Sequence, residues 1–492
     1  MDQADELAQA LERLAASGRV EVRENGAWLA ALAGAQFEVR RQGGHTLVHL
    51  WSEEQNLVRR VVRIAEQSDE RLLLEVLRFG RSKPDRLELL LADRERPAAR
   101  RSREEFRGRL RQLLAEQFPD EKMDSLTTAA DLEHSLSGCY TRGLMHQGSR
   151  AWAVVGVSPA EDAATVDSVL TYALIWLDAA RQRARERSVA GLRLFLPEGK
   201  ARITTHRLSA LDPAVQIELY EIEESLGRAR RVDPRDIGNL STRLTPRREV
   251  ELILNQAHEA TEKIRSLAPD AIRLGVVPGT REVTLRFRGA EFARWQNGRI
   301  FFGLGDDREE LAERKWGALE ALVRELEIYR SPVAQDTNHA LYRMQTERWL
   351  EANVQSDPAR IDARIDPAQL YAQVPAFAAG DRGVIDLLGV TRDGRLAVIE
   401  LKADENIHLP LQAVDYWLRV RWHQRQNDFR RHGYFAGIEL QPKPPLLYLV
   451  APSLRFHPTT GTLVRCLSSE IEVECVGLNE DWRRGLRVVF RQ

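Results

Sequence analysis

A chain of 492 residues with 43% hydrophobic and 29% charged side chains has apolar mass for roughly three domains of ordinary size. Its formal net charge of −1 excludes a global polyelectrolyte, so any nucleic-acid binding must come from local patches. Three scattered cysteines without CxxC spacing argue against a disulfide framework and a zinc cluster, and no apolar run nears the ~20 residues of a bilayer span, which together predict a cytoplasmic protein.

In chain order, residues 2–16 read as a short amphipathic helix. From Val20 to Leu91 the runs VEVREN, QFEVRR, HTLVHLW, RLLLEVLRF and RLELLLA read as strands, with turns at Gly43-Gly44 and Ser82–Asp85. Glu54–Gln67 has helix-compatible spacing. These residues predict a β-rich module over 1–95, whose arginines and Trp51 are read first as a solvated face and second as a nucleic-acid contact.

Apolar spacing at Phe106, Leu110, Leu113 and Leu114 predicts a helix over Arg101–Phe118. Strands Cys139–Met145 and Ala151–Val157 flank a Gly148-Ser149 turn. A helix follows over Ala163–Arg185, then strands Leu192–Leu196 and Val215–Ile222. This second domain spans 96–229. Arg230–Arg248, charged and holding two prolines, reads as a linker. It opens a module over 230–332 with a helix at Arg248–Ser266, strands Ala271–Val277, Glu282–Arg288 and Arg299–Leu304, a turn at Asn297-Gly298, and a helix at Arg308–Tyr329. The last domain, 333–492, begins with a helix over Ala340–Val354.

The second and last domains run in parallel. LAVIELK (396–402) matches WAVVGVS (152–158), QAVDYW (412–417) matches SVLTYA (168–173), and LLYLVAPS (446–453) matches LRLFLPEG (192–199). In this matching Glu400 and Lys402 face Gly156 and Ser158, Gln412 faces Ser168, Tyr416 faces Tyr172, and nothing acidic answers Asp386. GAQFEVRRQGG (34–44) and GAEFARWQNG (289–298) suggest that the β-rich modules repeat as well.

The chemistry concentrates in GVIDLLGVTRDGRLAVIELKADENIHLPLQAVDY, Gly383 to Tyr416. Two apolar runs, Val384–Val390 and Leu396–Leu401, flank Asp393-Gly394, a strong hairpin signal. Asp386 and Glu400 stand where apolar residues are expected, and Lys402 shares the face of Glu400 by strand alternation. Carboxylates and a lysine inside hydrophobic strands are costly unless paired or metal-bound. Paired carboxylates suit Mg2+ or Mn2+, which can activate water and polarise a phosphoryl oxygen. Gln412 and Tyr416, at i and i+4, share a helical face. The following Trp417, Arg419, Arg421, Trp422, His423 and Arg425 offer cations and aromatics to a phosphate backbone, or fill a core and a solvated face. His408 and His423 are read as ordinary histidines before metal ligands.

These stretches resemble the PD-(D/E)xK nuclease superfamily, and within it the RecB-like and NucS-like branch. The resemblance rests on GVID (383–386), ELK (400–402) and QAVDY (412–416), with ERWLEANVQSDP (347–358) similar to the acidic helix ahead of the core; it covers about residues 335–455. It implies Asp386, Glu400 and the Leu401 carbonyl as metal ligands, Glu347 as a further acid with Glu351 as its fallback, and Lys402 as the catalytic lysine. It also implies that Gln412 positions substrate, and that Tyr416, Arg419 and Arg421 bind it. NucS-like enzymes pair a β-rich DNA-binding module with a nuclease module as homodimers, so the resemblance implies a homo-oligomer or an intramolecular pseudo-dimer.

The expected architecture is therefore α/β (α+β), a restriction-endonuclease-like mixed sheet flanked by helices, present twice and each time preceded by a β-rich module. The expected function is Mg2+- or Mn2+-dependent hydrolysis of DNA, in preference to RNA, at one intact C-terminal site, the first copy binding or scaffolding. The alternative is a catalytically inactive nucleic-acid-binding or assembly protein that keeps the nuclease fold.

Overall fold

Alternation of apolar and polar residues makes strands with one buried face. Val20–Glu24 and Arg71–Leu77 follow it residue by residue. Continuous apolar runs make strands covered on both faces, and Ala151–Val157 and Leu396–Leu401 are of this kind. The computed structural model describes the chain except residues 1–2, 18–19, 26, 33–36, 43–44, 52–55, 69–70, 78–83, 92–96, 132, 185–186, 224–226, 235–241, 278, 306–307 and 379–383. The Gly43-Gly44 turn, Gly383 and much of the Ser82–Asp85 turn lie outside the described residues. The fold is mixed α/β, and its segments gather into two compact units.

The first unit comprises Met1–Arg96, Arg247–Ser356 and Asp481–Leu486. A seven-stranded antiparallel sheet between Val20 and Leu91 packs on helix Gln3–Ser17 through Leu7, Leu11 and Leu14. A five-stranded antiparallel sheet between Ile272 and Glu310 packs on helices Arg247–Arg265 and Trp316–Tyr329, with Phe287, Phe292 and Leu319 in its core. Asn297 (φ +50°) and Gly298 (φ +80°) close its hairpin between Ala290–Gln296 and Arg299–Phe302.

Three expectations change here. The helix-compatible stretch Glu54–Gln67 is, over its described residues Asn56–Gln67, a strand. Register shifts at Val61/Arg63 and Ile64/Glu66 interrupt its alternation and imitate helical spacing. The helix expected from Arg308 starts at Trp316, because Glu309–Glu310 pairs as a strand and Leu311 N–H donates to Ile300 O at 2.8 Å. The helix expected over Ala340–Val354 is two helices, Ala340–Arg343 and Thr346–Ser356, broken at Gln345 (φ +45°). Arg330 causes the break, since its guanidinium takes the carbonyls of Leu341, Met344 and Gln345 at 2.6–3.3 Å.

The second unit comprises Pro97–Pro246, Asp357–Glu480 and Arg487–Gln492. It holds two mixed sheets. The first runs Lys122–Thr127, Tyr140–Gln147, Arg150–Val157, Ser188–Pro197, Gln216–Glu223, Arg228–Val232. The second runs Tyr371–Ala378, Val384–Val390, Leu396–Leu401, Leu446–Pro452, Glu472–Leu478, Val488–Arg491, with Thr242–Leu244 added beside Tyr371–Ala378. Along each set of six strands the pairings are antiparallel, antiparallel, parallel, parallel, antiparallel. The expected linker thus contributes a strand to each sheet. Its Arg230, and Arg228 just before it, are cross-strand partners: Arg228 meets Glu223 and Arg230 meets Glu221, each at 2.7 Å. The helix expected over Ala163–Arg185 is interrupted at Ser168, between Ala163–Asp167 and Val169–Arg183.

Which face each strand buries fixes how the two sheets correspond. Val154 faces Phe106 and Leu110 of helix Pro97–Gln117, whereas Val398 faces the core shared by both sheets. In the first sheet that shared core receives Ala153, Val155 and Val157. Val155 pairs with Leu194, and Glu400 pairs with Leu449; both leucines lie in the shared core. The sequence matching is therefore one residue out of step, and a one-residue slip exchanges the faces. Val155 and Val157, not Gly156 and Ser158, take the places of Glu400 and Lys402. Arg142 is the residue across from Val155. Gly156 serves packing: a Cβ there would lie 2.6 Å from Leu110 Cδ2.

The sheets meet along a reciprocal seam. Leu211 and Leu467 form an antiparallel bridge, with Asp212 N–H donating to Cys466 O at 2.9 Å and Ser468 N–H to Ala210 O at 2.8 Å. The next turns are alike, Val215 N–H to Asp212 O at 2.8 Å and Ile471 N–H to Ser468 O at 2.9 Å. Leu211 and Leu467 thus hold equivalent places, each meeting its counterpart. Arg207 grips Asp415 with two bonds of 3.0 and 2.7 Å across the same junction.

His408 also sits at this junction, 3.2 Å from Thr171 Oγ1 and edge-on to Tyr172. Burial, with the positive Arg207 and His457 nearby, lowers its pKa from 6.5 to about 4. The unfolded chain binds that proton better. The stability contributed by the neutral ring is complete above pH 6.5 and is lost as pH falls through 6.5 towards 4. The thermal midpoint of the second unit is expected to drop by several degrees over that window, and by less in His408→Gln. Equal drops in the two proteins would assign the acid sensitivity elsewhere.

Candidate active site

The hairpin that carries the acids is fixed by its turn. Gly394 has φ +88°, and a Cβ there would lie 2.1 Å from Glu439 O, so only glycine fits. Thr391 N–H donates to Arg395 O at 2.8 Å and closes the turn. The ladder runs from Val390 opposite Leu396 to Leu387 opposite Ile399 and stops there. At the next position the Asp386 side chain takes over, its Oδ2 accepting from Leu401 N–H at 3.1 Å. Lys402 follows Glu400 on the same face, Nζ to Oε1 3.4 Å. Asp386, Glu400 and Lys402 keep only 6%, 1% and 9% exposure. Such burial makes each charge depend on its partners.

Helix Leu409–Arg425 supplies the second layer. Pro410 occupies its first turn, where a missing N–H costs nothing. Gln412 bonds to Tyr416 one turn on, as their spacing predicts. Burial raises the Tyr416 hydroxyl above its ordinary range, and the charges of Glu400 and Asp386 add to this against Gln412 and Lys402. Tyr416 thus feels all three hairpin charges, and Asp386, Glu400, Lys402, Gln412 and Tyr416 are brought into one neighbourhood.

The remaining sequence candidates have the following partners. Arg419 lies 5.7 Å over the Tyr416 ring. Arg421 is committed within the fold, donating to Gln424 Oε1 at 2.9 Å, Pro442 O at 3.0 Å and Glu470 Oε1 at 3.1 Å. Trp417 is core, its Nε1 donating to Pro445 O at 2.8 Å, and buried His423 pairs with Asp428 at 2.8 Å. Glu347 and Glu351 lie on helix Thr346–Ser356 of the first unit. Glu351 is buried there and accepts from Arg348 at 2.6 Å.

Two carboxylates with a main-chain carbonyl form an oxygen donor set that suits Mg2+ or Mn2+. Among the described residues, Asp386 and Glu400 are not part of a cluster of three or more His, Cys, Asp or Glu ligands; such a cluster occurs at Asp131, Glu133 and His134. Arg183 donates to Asp131 at 2.9 Å, and this bond above all holds the Asp131 carboxyl well below its usual range. Asp131 and His134 of that cluster are thus paired within the fold, His134 Nδ1 lying 3.1 Å from Asp131 Oδ1.

One residue near the acids has no sequence signal. Gln373, on strand Tyr371–Ala378, places Nε2 3.5 Å from Asp386 Oδ1. It stands in an ordinary strand-like run, YAQVPAF, and only the fold sets it opposite Asp386.

No protein-family model matches the chain, and no curated protein matches it. Among the described residues, no helix is long and apolar enough to cross a membrane.

Proposed function

We propose that the chain is a metal-dependent nuclease of the PD-(D/E)xK type that hydrolyses DNA phosphodiesters at the hairpin of the second mixed sheet. The observation that carries this reading is the approach of Lys402 Nζ to Glu400 Oε1, 3.4 Å, beside the buried Asp386. Asp386, Glu400 and the Leu401 carbonyl would hold Mg2+ or Mn2+. When bound, the ion supplies Lewis-acid polarisation of the phosphoryl oxygen and lowers the pKa of the attacking water. Lys402 orients that water and offsets charge developing on phosphate. Gln412, tied to Tyr416, positions the substrate, and Arg419 extends toward its backbone. Water adds to phosphorus and releases one proton as the bridging P–O bond breaks, and the leaving oxygen takes up one proton, so each bond cut consumes one water.

The two sets of six strands, equal in order and sense, support reading both sheets as copies of one restriction-endonuclease-like core. The first copy, with Val155 and Val157 in place of the acid and the lysine and Arg142 across from them, has no metal site of this kind and serves as scaffold or binding surface. The chain then acts as an intramolecular pseudo-dimer in the cytoplasm, with DNA as its partner.

A second reading, a catalytically idle DNA-binding or assembly protein, is favoured by Asp386 and Glu400 belonging to no tight group of three His, Cys, Asp or Glu ligands among the described residues. Purified protein with single-stranded, duplex, branched and mismatched DNA, with and without Mg2+ or Mn2+, separates the two. Cleavage that requires metal and disappears in Lys402→Ala supports the nuclease. Binding without cleavage in any condition supports the second reading.

A further inference from the structure

The strand beside the hairpin is distorted where it passes the acids. Tyr371–Ala378 pairs with Val384–Val390 through Ala372 opposite Leu387 and Val374 opposite Ile385. The pair between them, Gln373 and Asp386, is missing from the backbone ladder. Gln373 has φ +54°, the left-handed region that a glutamine seldom enters. Its side chain instead reaches Asp386, Nε2 to Oδ1 3.5 Å. The other carboxylate oxygen is held by Leu401 N–H at 3.1 Å. A strand interior offers no reason of its own for a strained glutamine, and such strain gathers where an arrangement of side chains has been selected over the relaxed backbone.

We infer that Gln373 is a positioning residue for metal binding: it fixes the rotation of the Asp386 carboxylate by donating to Oδ1 while Leu401 N–H holds Oδ2. This rests on the nuclease reading above. A carboxylate held from both sides presents its remaining lone pairs in one orientation. Losing such an outer partner typically weakens metal affinity about 10- to 100-fold.

The test uses the full chain and Mn2+ alone, with binding followed by calorimetry and by the Mn2+ electron paramagnetic resonance signal. Gln373→Gly removes the donor and also suits the left-handed backbone. Its Mn2+ dissociation constant is expected to rise about tenfold, with a thermal midpoint no lower than wild type. Gln373→Asn, which tolerates the same backbone but is one methylene shorter, is expected to behave like the glycine variant. Unchanged Mn2+ affinity in both variants overturns the inference and leaves the nuclease reading intact. Affinity lost only together with a lowered midpoint assigns Gln373 to the fold, and also overturns it. A wild-type chain that binds no Mn2+ overturns the inference and the metal-dependent reading together.

Discussion

Under the proposed nuclease function, Asp386→Asn is expected to cut metal-dependent DNA cleavage about a thousandfold or more, the several kcal/mol that a bound cation contributes to the transition state. The metal-free protein should meanwhile unfold at the same temperature as wild type, or higher. The hairpin buries Asp386, Glu400 and Lys402 together at 6%, 1% and 9% exposure, and each buried charge carries a desolvation cost. Asparagine removes one such charge, and its amide oxygen can still accept from Leu401 N–H. Lys402→Met should differ in sign. It removes the cation 3.4 Å from the buried Glu400 carboxylate and costs about 3–5 kcal/mol of stability as well as activity. Adding Glu400→Gln to it should restore much of the stability and none of the cleavage. Cleavage assays with calorimetry on the same preparations decide the matter. If Asp386→Asn cuts at the wild-type rate, the hairpin is not the active site. If it destabilises as Lys402→Met does, the acids are a structural network.

The largest loss of stability is expected from Arg330→Met in the first unit. Arg330 is fully buried, 0% exposed, at the end of helix Trp316–Tyr329. It donates to the carbonyls of Phe287, Arg288, Leu341, Met344 and Gln345 at 2.6–3.3 Å and stacks 4.7 Å over Trp349. Burial lowers its pKa to about 9, helped by the positive Arg483 and Arg288. Main-chain dipoles thus carry much of the work of solvating this cation. Methionine fills similar volume but leaves these acceptors bare, which costs about 3–5 kcal/mol or more. Arg330→Lys should recover only part of this, since an ammonium brings three donors and no planar fork. Calorimetry should show the loss, and amide exchange should show faster opening of residues 340–356. A midpoint within one degree of wild type for Arg330→Met would refute this account.

Much of the candidate site was legible because its residues break local rules. Acids inside apolar strands, the Asp393-Gly394 turn and the i, i+4 pair Gln412/Tyr416 each announce themselves in sequence. The like order of the two mixed sheets was also visible as a run of apolar words. Their register was not. Strands such as Ala151–Val157 and Leu396–Leu401 are apolar on both faces, so no alternation marks which residue faces which layer. Val154 against Phe106 and Val398 against the shared core settled it only once the helices were in place. Gln373 was invisible for a different reason: its role comes from cross-strand position and a backbone angle. Arg330 hid likewise, since one arginine in a polar stretch does not reveal that it splits the next helix. Asn56–Gln67 misled because bulges give a strand helical spacing.

The shared core of the second unit bears on how the chain is made. Helix Val169–Arg183 buries Leu170, Ala173, Leu174 and Leu177 in a core whose other half includes Leu447, Leu449 and Leu463. Those partners follow only after the whole Arg247–Ser356 segment of the first unit has been synthesised. At about 5–20 residues per second, that apolar helix face waits on the order of tens of seconds on the ribosome before its cover exists. During synthesis the first mixed sheet is therefore an unfinished half, exposed to chaperones and to neighbouring nascent chains. Ribosome-bound chains halted before Leu396 would carry that face open, and the Leu211–Leu467 bridge would be among the last links to close.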